Sequence, residues 1–274
     1  MSLLEAIVLG IAQGLTEFLP ISSTAHLRII PAFAGWEDPG AAFTAVTQLG
    51  TMAAVLLYFR HDLVRIARAW LRSVPNREAR RELDARLGWY ILLGTIPIGI
   101  FGVLFKDQIE TGARDLYLIG VTLIVLGLVL LLADRTGKRD RSIEQIRTRD
   151  GFWMGMAQAL ALIPGVSRSG STITAGLFLG LDRTAAARFS FLLSIPAVVL
   201  SGLLELGSIV SGEEGQHTGA PELVVATLLA FATGYLSIAF LLRWLTSHSM
   251  DIFVVYRVVL GTLVLVLVSA GTIE

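Results

Sequence analysis

Residues 41–59, 87–105, 116–133 and 223–242 carry no charged side chain, and neither do 189–204 and 258–273. A helix that crosses a bilayer needs about 20 mainly apolar residues. The last two runs reach that length as spans 184–210, which takes in Arg188 and Glu205, and 252–272, which takes in Arg257. No single water-soluble core buries six such runs. The balance of the chain agrees: 54% of residues are hydrophobic, 16% are charged, and the mean hydropathy is +0.70, against roughly 25% charge in soluble domains. The runs lack the strict alternation of a membrane barrel. Zero net charge argues against nucleic acid as a partner, and the absence of cysteine removes disulfides, thiolate metal sites and thiol nucleophiles. The expected fold is an all-α polytopic membrane protein with six transmembrane helices.

Two more apolar regions are broken in the middle. Residues 1–35 and 151–181 each read as a short arm, a Pro/Ser-rich interruption around Pro20 or Pro164, and a second arm. Arms of about 10–14 residues suit a re-entrant hairpin better than a full crossing. The loops then set orientation. Eight arginines fall in loop 60–86 and six basic residues in 134–150, together 14 of the chain's 22, while 211–222 has three glutamates and no Lys or Arg. The positive-inside rule puts the two basic loops in the cytoplasm, and the alternation of spans closes only if both hairpins return to the side they entered from. Three spans per half is an odd number, so the halves form an inverted repeat: 1–134, a cytoplasmic linker 135–150, and 151–274. Ala12-Gln13 echoes Ala157-Gln158 at the same place in each half. Inverted repeats with broken helices meet near the bilayer midplane, and irregular backbone there must line an enclosed cavity.

The hairpin tips carry the chemistry. The first holds Gln13, Glu17, Ser22, Ser23, Thr24 and His26. Gln13 and Glu17, four apart, share a helix face, and a carboxylate at membrane depth is a functional hypothesis by default. His26, beside hydroxyls and a carboxylate, suits a base, acid or nucleophile. The second tip holds Ser167, Arg168, Ser169, Gly170 and Thr172. Its guanidinium fork suits phosphate oxygens, and the helix start that follows attracts anions. An acid, an imidazole and hydroxyls facing an anion cradle point to phosphate chemistry. Arg168 and the backbone N–H groups after Ser169 would hold the phosphate. A Mg2+ or Ca2+ ion at Glu17 would bridge its oxygens. The nucleophile is Ser23 activated by His26, His26 itself, or water. A lipid-phosphate transporter or flippase would use the same cavity plan.

Gln13 to His26 resembles an (E/Q)xxxE motif with a trailing PxSSTxH, and Pro164 to Thr172 resembles the PGxSRSxxT motif of the BacA-type undecaprenyl-diphosphate phosphatases. The resemblance runs over essentially the whole chain. It implies hydrolysis of a C55 polyprenyl diphosphate to the monophosphate carrier lipid at the outer face of the bacterial plasma membrane, in support of cell-wall synthesis and bacitracin resistance. It also implies functional roles for Glu17, Ser22, Ser23, His26, Ser167, Arg168, Ser169 and Thr172. Gln13 stands where many members have Glu, so Glu17 carries most of any cation binding. The partners are then the lipid diphosphate and the bilayer, with a homodimer left open. Cysteine-accessibility labelling checks the orientation: single cysteines in 60–86 are expected to react only from the cytoplasmic side, and those in 211–222 only from outside.

Overall fold

The computed structural model describes the backbone of residues 1–105, 115–211 and 219–273, and the side chains of all these except 41 and 203–211. Most of the acidic loop expected to face outward, residues 212–218, lies outside the described residues. Helices follow in the order α1 (Leu3–Phe18), α2 (Ser23–Ala34), α3 (Gly40–Tyr58), α4 (Arg60–Ser73), α5 (Leu83–Leu104), α6 (Leu116–Thr136), α7 (Thr148–Ala159), α8 (Arg168–Phe178), α9 (Arg183–Ser211), α10 (Ala220–Trp244) and α11 (Asp251–Ser269). Among the described residues the β pairing is confined to one isolated bridge, Arg141 to Leu181.

Among the described residues, five helical segments are long and apolar enough to cross a membrane: Leu83–Leu104, Leu116–Thr136, Arg183–Gly202, Ala220–Trp244 and Asp251–Ser269. A sixth crossing exists if α3 and α4, bent by 73° at Phe59, count as one broken unit. The region expected to be a loop, 60–86, is thus largely helical. The local reason is its pattern: Leu63, Ile66, Ala69 and Trp70 recur at helical spacing among the arginines. Ile66 and Ala69 are buried, and Trp70 lies against Gly88 of α5. Ion pairs tie this end together: Arg65 to Asp84 at 2.6 Å and Arg188 of α9 to Asp62 at 2.7 Å. Nearby, the fully buried Asp134 takes Arg183 through two oxygens at 2.6 and 3.0 Å and the Met250 N–H at 3.1 Å.

Both expected helix interruptions are present. α1 stops at Phe18 ahead of Pro20, and α7 runs into a short 3-10 turn (Leu160–Leu162) ahead of Pro164. Each following helix starts on a serine with positive φ: Ser22 (φ 74°) before α2 and Ser167 (φ 71°) before α8. Such a conformation in a residue with a Cβ costs on the order of 1–3 kcal/mol and persists only where the surroundings enforce it.

The first arms pack through small residues. Without water to drive them together, membrane helices associate where small side chains let backbones approach. Gly10 and Gly14 of α1 meet Ala226, Ala230 and Gly234 of α10, while Gly151 and Gly155 of α7 meet Tyr90 and Gly94 of α5. A Cβ at Gly155 would collide with the Gly94 backbone. Among the described residues a few buried polar atoms lack a protein partner. Gln158 is fully buried and lacks one at both ends of its amide.

Opposite effects follow for two neighbours on α7. Gly155→Leu is expected to destabilise the fold by at least about 1–3 kcal/mol through overpacking. Gln158→Leu removes an unpartnered amide, so it is expected to be neutral or stabilising. Thermal unfolding in detergent reads both.

Candidate active site

The interruption after α1 and the interruption before α8 lie against each other. Ser169 Oγ donates to the Leu19 carbonyl at 3.0 Å across the gap. At the same place the last turn of α1 brings Glu17 to the first residues of both α2 and α8. Ser23 and Arg168 occupy equivalent positions, each the first helical residue after its serine cap. Arg168 Nη2 donates to Glu17 Oε1 in a direct ion pair. The other carboxylate oxygen, Oε2, accepts from Ser23 Oγ at 2.6 Å and from Gln13 Nε2 at 3.2 Å. Gln13 Oε1 is buried and has no protein partner. Carboxylate, guanidinium, hydroxyl and amide therefore form one cluster from residues 151 positions apart.

Glu17 and Arg168 of this cluster line a cleft together with Ser169, Ser190 and Ser194 and the apolar Phe18, Val55 and Phe191; Ser23 and Gln13 lie outside its lining. About 10 Å³ is free in it, room for about one water.

The remaining expected residues have supporting positions. Ser22 Oγ caps α2, accepting from the Ala25 N–H at 3.4 Å, and lies 3.1 Å from the exposed Thr24 Oγ1. Ser167 Oγ caps α8 by accepting from the Gly170 N–H at 3.1 Å. Thr172 is fully buried behind the cleft, donating to the Arg168 carbonyl at 2.8 Å and sharing a hydrogen with Ser190 Oγ at 2.5 Å.

His26 differs from expectation in its partners. It does not meet the Ser23 hydroxyl. Its Nδ1 lies 2.7 Å from the Ser22 carbonyl and its Nε2 lies 2.6 Å from the Tyr256 hydroxyl. A carbonyl only accepts, so Nδ1 carries the proton, and Nε2 of the neutral ring accepts from Tyr256. The imidazole folds back onto its own turn while Ser23 points toward α1. Stacking of the His26 and Tyr256 rings, 5.6 Å apart and 7° from parallel, fixes this arrangement.

Two residues of α11 thus enter the site without having been singled out in the sequence. Tyr256 is one. The other is Arg257, fully buried and hydrogen-bonded to five backbone carbonyls: Pro20 in the first interruption, Gly165 and Val166 in the second, and Thr122 and Leu123 of α6, at 3.1–3.3 Å. The available signal was a lone charge inside an otherwise apolar run, which marks function or structure at depth. The reading of 252–272 as a span absorbed it.

Against this geometry, comparison with known proteins is informative. A family model described as bacitracin resistance protein BacA matches residues 6–263. An undecaprenyl-diphosphatase of Nocardioides sp. is 57% identical over 270 residues, 98% of both chains. Undecaprenyl-diphosphatases of Thermobifida fusca and Myxococcus xanthus are 52% and 55% identical over all of this chain and 92% of theirs. With the match spanning nearly its full length, the chain belongs to the BacA family.

Proposed function

We propose that this multi-pass membrane protein hydrolyses undecaprenyl diphosphate to undecaprenyl phosphate and inorganic phosphate, recycling the carrier lipid for wall synthesis and conferring bacitracin resistance. The observation that carries the chemistry is the Ser23–Glu17–Arg168 cluster where the two helix interruptions meet. A serine hydroxyl is a weak nucleophile until a base takes its proton, and Glu17 already accepts that proton's hydrogen bond at 2.6 Å. The diphosphate draws Arg168 away from Glu17 by offering it phosphate oxygens, which releases the carboxylate to act as base. Ser23 Oγ then bonds to the terminal phosphorus, the bond to the bridging oxygen breaks, and the lipid monophosphate leaves as Glu17 takes the proton. Water next cleaves the phosphoserine: its oxygen and one hydrogen go to inorganic phosphate, its other hydrogen to the serine oxygen, and Glu17 gives up its proton as the phosphate leaves. Arg168 stabilises the equatorial oxygens in both steps; the Gly170 and Ser171 N–H groups, expected to share that task, are taken by Ser167.

His26 is read as a positioning residue. Its N–H holds the Ser22 carbonyl, and so the strained cap next to Ser23, in place; Tyr256 holds the ring. A Mg2+ or Ca2+ ion would take Glu17 as a hard oxygen ligand, with the unpartnered Gln13 Oε1 joining once the amide, whose Nε2 now faces Glu17, has turned. Among the described residues no cluster of three acidic or imidazole ligands exists, so diphosphate oxygens and water would complete the shell, as Mg2+ sites commonly arrange. When bound, the ion withdraws charge from the diphosphate.

The same reading takes the halves 1–134 and 151–274 as inverted copies. Their paired small-residue contacts support it, as do the matching positive-φ serine caps and the contact between Gly120 of α6 and Gly261 of α11. Loop charge favours a site opening to the outer face, with substrate entering from the outer leaflet.

Purified protein is expected to release phosphate from C55 and C15 diphosphates and to lose that activity in EDTA. No release from either would leave lipid transport as the reading. Arg168→Lys and Glu17→Gln are each expected to cost on the order of 10²–10³ in kcat. Tyr256→Phe, acting only through His26, should cost about tenfold or less. Rapid quench with labelled substrate should trap phosphate on Ser23; label on His26 instead would overturn the assignment of the nucleophile.

A further inference from the structure

The linker between the two halves builds a second cavity that shares no lining residue with the cluster around Glu17. It has a volume of about 540 Å³ and is lined by Lys138, Arg141, Arg147 and Arg149, with Asp140 the one acid on its wall. Cavities of roughly 300–1,000 Å³ accommodate small ligands or headgroups.

Its walls are held in place. Arg141 pins the linker over the end of α8: its N–H bonds the Gly180 carbonyl at 3.1 Å and its own carbonyl accepts from the Asp182 N–H at 2.8 Å. The Arg141 guanidinium bonds the Leu179 and Gln145 carbonyls at 2.8 and 2.7 Å and the fully buried Asp150 at 2.5 Å. Asp150 therefore neutralises Arg141. Lys138, Arg147 and Arg149, all exposed, remain against Asp140; Arg149 Nε stands 3.7 Å from Asp150 Oδ1 and shares only part of that charge.

The cavity also has an apolar side. Phe178, at the end of α8, lines it and is 49% exposed. One turn into α7, Phe152 and Trp153 are 40% and 55% exposed. An exposed aromatic in a cluster of cations, with two more on the helix that follows the linker, is the arrangement found where a protein surface meets lipid headgroups. A freely soluble anion would need the cations but not the exposed Phe178.

We propose that this cavity is a binding site for the phosphate headgroup of an anionic phospholipid in the leaflet that the basic linker faces. The cations take the phosphate, and Phe178 takes the start of the acyl chains. The site is separate from the phosphatase reading: none of its residues belongs to the Glu17 cluster, and occupancy is measured without turnover.

The test uses the full-length protein in mixed micelles with a fluorescent phosphatidylglycerol as probe and the phosphatidylcholine analogue as control. The wild type should prefer phosphatidylglycerol. A K138Q/R147Q/R149Q variant should lose affinity for it by on the order of a hundredfold, at roughly fivefold per cation, with phosphatidylcholine binding and phosphate release unchanged. K138E alone, altering one exposed side chain, should weaken binding by roughly tenfold or more and serves if the triple variant does not fold. Millimolar inorganic phosphate should leave most of the lipid bound. Equal affinity in wild type and variants would overturn the site. Full displacement by inorganic phosphate would overturn the lipid as its ligand.

Discussion

A carbonyl with no donor is expensive to bury in an apolar surrounding, and a helix interruption creates several at once. This protein places two interruptions side by side. Arg257 resolves the cost for both: one planar cation with five N–H groups serves carbonyls from Pro20, Gly165 and Val166, and two more from α6. Among the described residues no carboxylate bonds it. Its charge is balanced by carbonyl dipoles, three of them from the interruptions, where no helical N–H follows to serve them. Lysine, with three donors on a point, lacks the planar fork this requires. A Cβ at Gly170 would come within 2.8 Å of Arg257 Nη1, which gives the glycine after Arg168 and Ser169 a packing reason.

The arrangement around Glu17 depends on that junction. With the interruptions locked together, Ser23 and Arg168 sit as first residues of two helices whose starts converge on one carboxylate. The positive-φ caps at Ser22 and Ser167 store local strain at this point, and the surrounding carbonyl and hydroxyl bonds hold it. Under the inverted-repeat reading, Ser23 and Arg168 are the same position in two copies that diverged into nucleophile and anion holder. Leu162 then corresponds to Glu17. That accounts for the orphaned Gln158: it keeps the amide of its counterpart Gln13 but faces no carboxylate.

The resting site is closed on itself. Among the described residues the anion that Arg168 meets is Glu17, and the cleft beside them has room for about one water. Under the proposed mechanism, substrate competes with this internal ion pair. Exchange of one anion for another keeps the guanidinium paired throughout, which avoids leaving a bare charge at membrane depth.

Spans, interruptions and the charged residues within apolar runs were legible in the sequence because each depends on local composition. Hydropathy over about 20 residues, a proline beside serines, and Glu17 or Arg168 standing among apolar neighbours need no knowledge of the partner helix. The amphipathic α4 was legible in principle from its helical spacing, but the density of arginines read as loop. Partner choice was not legible. Ser23 and His26, a helical step apart, invited pairing with each other. The fold gives the hydroxyl to Glu17 and turns the imidazole to Ser22 and Tyr256, 230 residues away. Arg257 reaches Pro20 across 237 positions. A hydrogen bond is decided by which way two side chains point once helices have packed, and that follows from tertiary contacts such as the Arg257 junction and the small-residue contacts of α1 with α10 and α7 with α5.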